Sequence, residues 1–182
     1  MNRFSLLIAA VACSGAMYAQ DAAAVVKDLQ GSYAGVKANI LAAADKMPEE
    51  GYSYKPGPGS RDFGGWVGHV ADAQAGACGT VNGAPKQLGA AQKTSKADLI
   101  AALKESFDMC DQAYNGTTAD NYLSPVQSFR GATPRVAALY GNFGHDQECY
   151  GSMAVYLRGK EMVPPSTERM NMGMKGKGGK KQ

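Results

Sequence analysis

The sequence predicts an all-α domain, a four-helix bundle, on three observations. Four stretches carry apolar residues at three- and four-residue spacing, as a helix with one buried face requires. Capping and stop residues fall between those stretches. No segment alternates polar and apolar for long enough to argue a sheet. The 182 residues, 45% hydrophobic and 19% charged, suit one folded domain.

The first helix is expected from Ala22 to Lys46, with Val25, Leu29, Val36, Ile40 and Ala43 near helical spacing. Met47-Pro48-Glu49-Glu50-Gly51 ends it, and the loop to Arg61 is rich in Pro, Gly and Tyr. Asp62 caps a second helix to Val81, carrying Trp66, Val70, Ala73 and Ala77 on one face. After a long loop, Ser95 caps a third helix, in which Leu99, Ile100, Leu103, Phe107 and Cys110 repeat at three and four. Gly116 to Arg130 is polar and turn-rich. Thr133-Pro134 then opens a fourth helix to Lys160, with Pro134 at the first helical position, where its missing N–H costs nothing. Its core stripe is Val136, Leu139, Tyr140, Phe143, Tyr150, Met153 and Leu157, and Pro164-Pro165 stops the domain.

Residues 1–19 read as an export signal. Asn2-Arg3 gives a short positive start, Leu6 to Cys13 an apolar core, and Ser14 to Ala19 an exit with cleavage after Ala19. The apolar run is too short to span a bilayer. Lipidation on Cys13 and a plain N-terminal helix are the competing readings. Export places the bundle, residues 20–165, in the periplasm or outside the cell. Residues 166–182 are Met-, Gly- and Lys-rich, cannot pack a core, and are expected as a disordered tail. Its Met170, Met172 and Met174 suit Cu(I), and its lysines suit anionic lipid, less well than they suit plain solvation.

Charge narrows the partners. The tail carries a net +4 and Arg3 one more positive charge, so residues 20–165 hold −2 of the overall +3. That mildly acidic body offers no footprint for nucleic acid. No P-loop or Gly-x-Gly-x-x-Gly turn appears. The partners left open are a small molecule and a second copy of the chain.

Only two histidines occur, His69 and His145, so a three-histidine metal site is excluded. The segment His145-Asp-Gln-Glu-Cys149 places an imidazole and a thiol at i and i+4 on one helical face. Two ligands so spaced can share one ion, although a helical cysteine is more often a small hydrophobe. With Cys13 removed, Cys78, Cys110 and Cys149 remain, an odd number.

The string FGHDQECYGSMAVYLRGKEMVPPS resembles the end of the fourth helix in the DinB-like (DinB/YfiT) superfamily, and KMPEEGYSYKPGPGSRDFGGWVGHVADAQ is similar to its first loop and second helix. The resemblance runs from about residue 25 to 166. It implies an up-down-down-up bundle with a divalent-metal site made by one histidine on helix two and two ligands on helix four. Carried over, these are His69, His145 and Cys149, the last standing where the family has histidine. A His₂Cys set with one open position suits zinc, with nickel or iron as other ions such donors accept. The same change can equally mark a site that has lost its metal.

In the implied topology the second and third helices are parallel. Cys78 and Cys110 then differ in height by about 3 Å. An up-down-up-down order puts them at opposite ends, so their disulfide is reachable only in the first arrangement. That pairing leaves Cys149 as the odd thiol. Gly68, Gly76, Gly144 and Gly151 flank the ligands, leaving room for a substrate or allowing close packing. Asp72, Glu148 and Tyr150 are candidate proton-transfer partners.

Three functions follow. The resemblance implies a metal-dependent hydrolase or thiol transferase of unknown substrate, export weighing against the transferase. The alternative is a non-catalytic exported bundle with a degenerate metal site, acting as a binding module. A third is oxidative chemistry at Cys149, its pKa lowered by a neighbouring imidazolium.

Overall fold

The computed structural model describes residues 3–128 and 131–178, with side chains described from 21 to 172 within those spans. The order is α1 (Arg3–Lys46), α2 (Phe63–Val81), α3 (Lys96–Asn115), β1 (Pro125–Ser128), β2 (Gly131–Pro134), α4 (Arg135–Gly159) and α5 (Pro165–Gly178). The side chains of the expected leader, residues 1–19, lie outside the described residues. Among the described residues no helix is long and apolar enough to cross a membrane.

Both expected caps form. The Asp62 carboxylate accepts the Gly65 N–H at 2.7 Å, and the Ser95 hydroxyl accepts the Asp98 N–H at 3.1 Å. Each satisfies one of the amides that a helix start leaves without a partner.

Pairs along the helices set their directions. Gln30 donates to the Tyr114 carbonyl at 2.9 Å, Lys37 meets Asp111 at 2.5 Å, and Lys96 donates to the Met47 carbonyl at 2.7 Å, so α1 and α3 are antiparallel. Leu99 packs against Gly64 and Gly68, while Asn82 donates to the Met109 carbonyl at 2.8 Å, so α2 and α3 point the same way. Between them the Cys78 and Cys110 Cα atoms are 4.9 Å apart and the sulfurs meet. Tyr156 near the end of α4 donates to the Arg61 carbonyl, and Arg135 at its start donates to the Val81 carbonyl at 3.0 Å, so α4 opposes α2.

The buried faces differ from expectation by one position in three places. In α1 the buried row is Ala22, Val26, Leu29, Tyr33, Val36, Ile40 and Ala43, whereas Val25 is 42% exposed. Val25 lies about 100° round the helix from Val26. In α2 the row is Phe63, Val67, Val70, Ala71, Gln74 and Cys78, and Trp66, Ala73 and Ala77 are only half-buried. In α4 Tyr140 is 42% exposed.

The sequence pattern argues no sheet, yet a small one is present. β1 and β2 pair antiparallel from Pro125 with Pro134 to Ser128 with Gly131. Pro134 therefore ends a strand and precedes α4 rather than opening it. The first α4 amides bond loop carbonyls instead, Arg135 to Ser124 at 2.9 Å and Val136 to Tyr122 at 2.8 Å. Among the described residues of the hairpin only Val126 is buried, so its periodic signal is too short to see.

The expected disordered tail is helical through Gly178. Among residues 166–172, whose side chains are described, none is buried: Met170 and Met172 are 59% and 63% exposed, and the Met174 side chain lies outside the described residues. Polar anchors hold its first turns. Tyr150 donates to the Ser166 hydroxyl at 2.9 Å, Glu168 pairs with Lys46, and Arg169 with Asn39. Residues 179–182 lie outside the described residues.

The crossover between α2 and α3 is pinned beside the site. Asp72 accepts the Ala90 and Ala91 N–H groups, each at 2.9 Å. The chain can approach α2 there because Gly68 lacks a side chain: a Cβ would stand 2.8 Å from the Ala90 carbonyl oxygen.

Candidate metal centre

His69 is presented by α2, and His145 and Cys149 by consecutive turns of α4. The antiparallel contact of those helices brings all three together. His69 Nε2 is 3.0 Å from His145 Nε2, and Cys149 Sγ is 3.6 Å from His145 Nε2. One donor atom from each lies within 4.8 Å of the others. The imidazoles are half-buried and Cys149 is buried.

This spacing fits an ion. A tetrahedral zinc with ordinary Zn–N and Zn–S lengths holds its nitrogens roughly 3.3 Å apart and its nitrogen and sulfur roughly 3.6 Å apart. A nitrogen–nitrogen–sulfur set of this size can hold one divalent ion and leaves a fourth position.

The electrostatics separate the three donors. Burial lowers the His69 imidazole from its usual range, assisted by the charges of Arg61 and His145, with Asp72 and Glu148 opposing. Its neutral form, the one that ligates, is favoured. Burial pushes the Cys149 thiol up to about 12, with Asp146 and Glu148 adding to the rise and Arg61 opposing it. This overturns the expectation of a thiol activated by an imidazolium. A buried thiol held in its neutral form is a poor nucleophile, and only a metal ion would make it a thiolate at neutral pH.

The candidate proton-transfer groups sort by their contacts. Asp72 is occupied by the two crossover amides, and Tyr150 by Ser166. Glu148 is exposed, and its charge acts on both His69 and Cys149. Of the glycines, Gly68 serves close packing, while a Cβ added at Gly76, Gly144 or Gly151 would meet nothing within 4 Å.

Two features beside the donors escape a reading of the sequence. Arg61 stacks over Trp66, its guanidinium carbon 4.7 Å from the ring centroid, and Trp66 meets His69 edge-on at 6.0 Å. Behind His145, Asp146 is fully buried and accepts from the Asn142 amide at 3.3 Å. Burial pushes its carboxyl up to about 8, and the amides of Gln74 and Asn142 only partly offset this. Gln74, a polar residue in the core row of α2, is the one signal in the sequence for that cluster.

The sequence matches the family model of the DinB superfamily over residues 33–152. The chain belongs to the DinB superfamily. All three donors fall within the matched span. A DinB-like protein from Bacillus cereus shares the fold with a TM-score of 0.63 at 16% identity, over 76% of this chain and 95% of its own. YjoA, a DinB-like protein from Bacillus subtilis, does so with a TM-score of 0.60 at 18% identity, over 75% and 93%. At these identities the likeness speaks for fold alone. Comparison with curated proteins finds no match.

Proposed function

We propose that this DinB-superfamily protein is exported and binds one zinc ion through His69, His145 and Cys149, as a metal-dependent hydrolase. The observation that carries the reading is the convergence of three donors from two helices within 4.8 Å. A buried sulfur in the set favours zinc over harder ions. The export signal at residues 1–19 supports the compartment. The meeting of Cys78 and Cys110 supports a disulfide there and leaves Cys149 as the free thiol.

Zinc bound here would supply Lewis acidity at its remaining position. The chain's own residues prepare for it. Burial keeps His69 neutral, α4 holds His145 and Cys149 one turn apart, and Glu148 offers an exposed carboxylate to take up a proton. Asp72 fixes the crossover that covers one side of α2 at Gly68.

The test is the metal content and free-thiol count of mature, untagged protein. About one zinc per chain, with a single thiol unmasked by chelator, supports the reading and justifies a screen of hydrolase substrates. No metal after incubation with zinc overturns it in favour of a non-catalytic bundle.

A further inference from the structure

We propose that Arg61 and Trp66 form an anion-recognition arm of this site, binding the carboxylate or phosphate of a small acidic ligand beside the three donors. The proposal deepens the metal-site reading and rests on it for the ligand's position. The arm is built from the loop–helix junction outward. Arg61 precedes the cap residue of α2, and its carbonyl accepts the Tyr156 hydroxyl of α4, which fixes the backbone where the two ligand-bearing helices meet. Its guanidinium lies 4.7 Å from the Trp66 centroid, and Trp66 in turn abuts His69.

What makes this more than a surface stack is that the charge has no partner. Among the described residues Arg61 makes no ion pair. Of the carboxylates around the donors, Asp62 is engaged with the Gly65 amide and Asp72 with the crossover amides, and exposed Glu148 makes no ion pair with Arg61. The Trp66 Nε1 is buried and also has no partner among the described residues, a second donor in the same arm. A guanidinium lying over an indole has N–H groups left for a further partner, and their fork matches the two oxygens of a carboxylate or phosphate. Lysine could supply the charge but not the fork.

Trp66 is the sole tryptophan, so its fluorescence reports on this arm without a label. Zinc-loaded and metal-free full-length mature protein are titrated with succinate, inorganic phosphate and neutral succinamide. The expected result is a saturable change with succinate or phosphate and none with succinamide; the stronger of the two anions identifies the ligand class. Arg61→Met, which keeps an apolar stem on the indole, should weaken the anion about tenfold or more. Its zinc stoichiometry and melting temperature should match the parent's, and Arg61→Lys should recover only part of the affinity. Equal anion binding by the parent and Arg61→Met overturns the proposal. So does silence toward both anions in a protein carrying one zinc. An Arg61-dependent anion response in a protein that binds no zinc leaves the arm standing and removes the metal-site reading instead. Silence in a protein that binds no zinc removes both.

Discussion

His69 Nε2 and His145 Nε2 face each other at 3.0 Å across the antiparallel contact of α2 and α4. Without a metal, one of these nitrogens must donate a proton to the other. With a metal, both nitrogens would instead serve as its ligands, together with the Cys149 sulfur. A single pair of residues thus reports whether the site is loaded.

Loading should therefore be visible as stability. Zinc at a hundredfold excess over its dissociation constant adds about 2.7 kcal/mol. For a domain of this size that raises the melting temperature by roughly 5–10 °C. Scanning calorimetry before and after chelation checks it. His69→Ala, His145→Ala and Cys149→Ala should each lose stoichiometric zinc and most of that increment. Full zinc occupancy in Cys149→Ala would remove the thiol from the ligand set.

Zinc binding should also release protons. The Cys149 thiol, pushed up to about 12, carries its proton at neutral pH and must lose it to ligate. His69, lowered from its usual range, needs to lose little. Affinity should accordingly rise with pH, by close to tenfold per unit while one proton is displaced. Calorimetric titration in buffers of different ionisation enthalpy measures the count, which should be close to one proton per zinc.

The Cys78–Cys110 pair is separated by 32 residues of chain, and its sulfurs meet between the C-terminal halves of two parallel helices. A loop of that length gives roughly 3–4 kcal/mol of stabilisation in the chain-entropy account. Denaturant unfolding of Cys78→Ala/Cys110→Ala should show a loss of that order. Thiol labelling of the unfolded, non-reduced mature protein should find only Cys149. Three labelled thiols would show the bridge to be absent.

Two glycines on α2 should respond oppositely to alanine. At Gly68 a Cβ meets the Ala90 carbonyl oxygen at 2.8 Å, and backbone must shift, so Gly68→Ala should cost about 1–3 kcal/mol. At Gly76 nothing lies within 4 Å, so Gly76→Ala should gain about 0.5–1 kcal/mol from helix propensity. Paired urea melts test both. A stabilised Gly68→Ala would refute the tight crossover.

Local features of this protein are legible from its residues alone. Periodicity marks four helices, Asp62 and Ser95 mark two starts, and the i, i+4 spacing puts His145 and Cys149 on one face, because each depends only on neighbours within a turn or two. What lies beyond is decided by packing between distant segments. The buried stripe of α1 runs through Val26 rather than Val25, since a helix's rotation is settled by what it packs against and adjacent residues lie about 100° apart. The first turns of α5 are held by partners far along the chain, Tyr150 and Lys46 among them, and neither they nor the described residues of the hairpin carry enough apolar surface to announce themselves. The sign of the Cys149 shift is likewise invisible in the sequence. An imidazole four residues away suggests a lowered pKa, whereas burial between α2 and α4, a property of the assembled bundle, drives it up. Arg61 joins the site for the same reason: only the folded junction of α2 with α4 sets its charge beside Trp66 and His69.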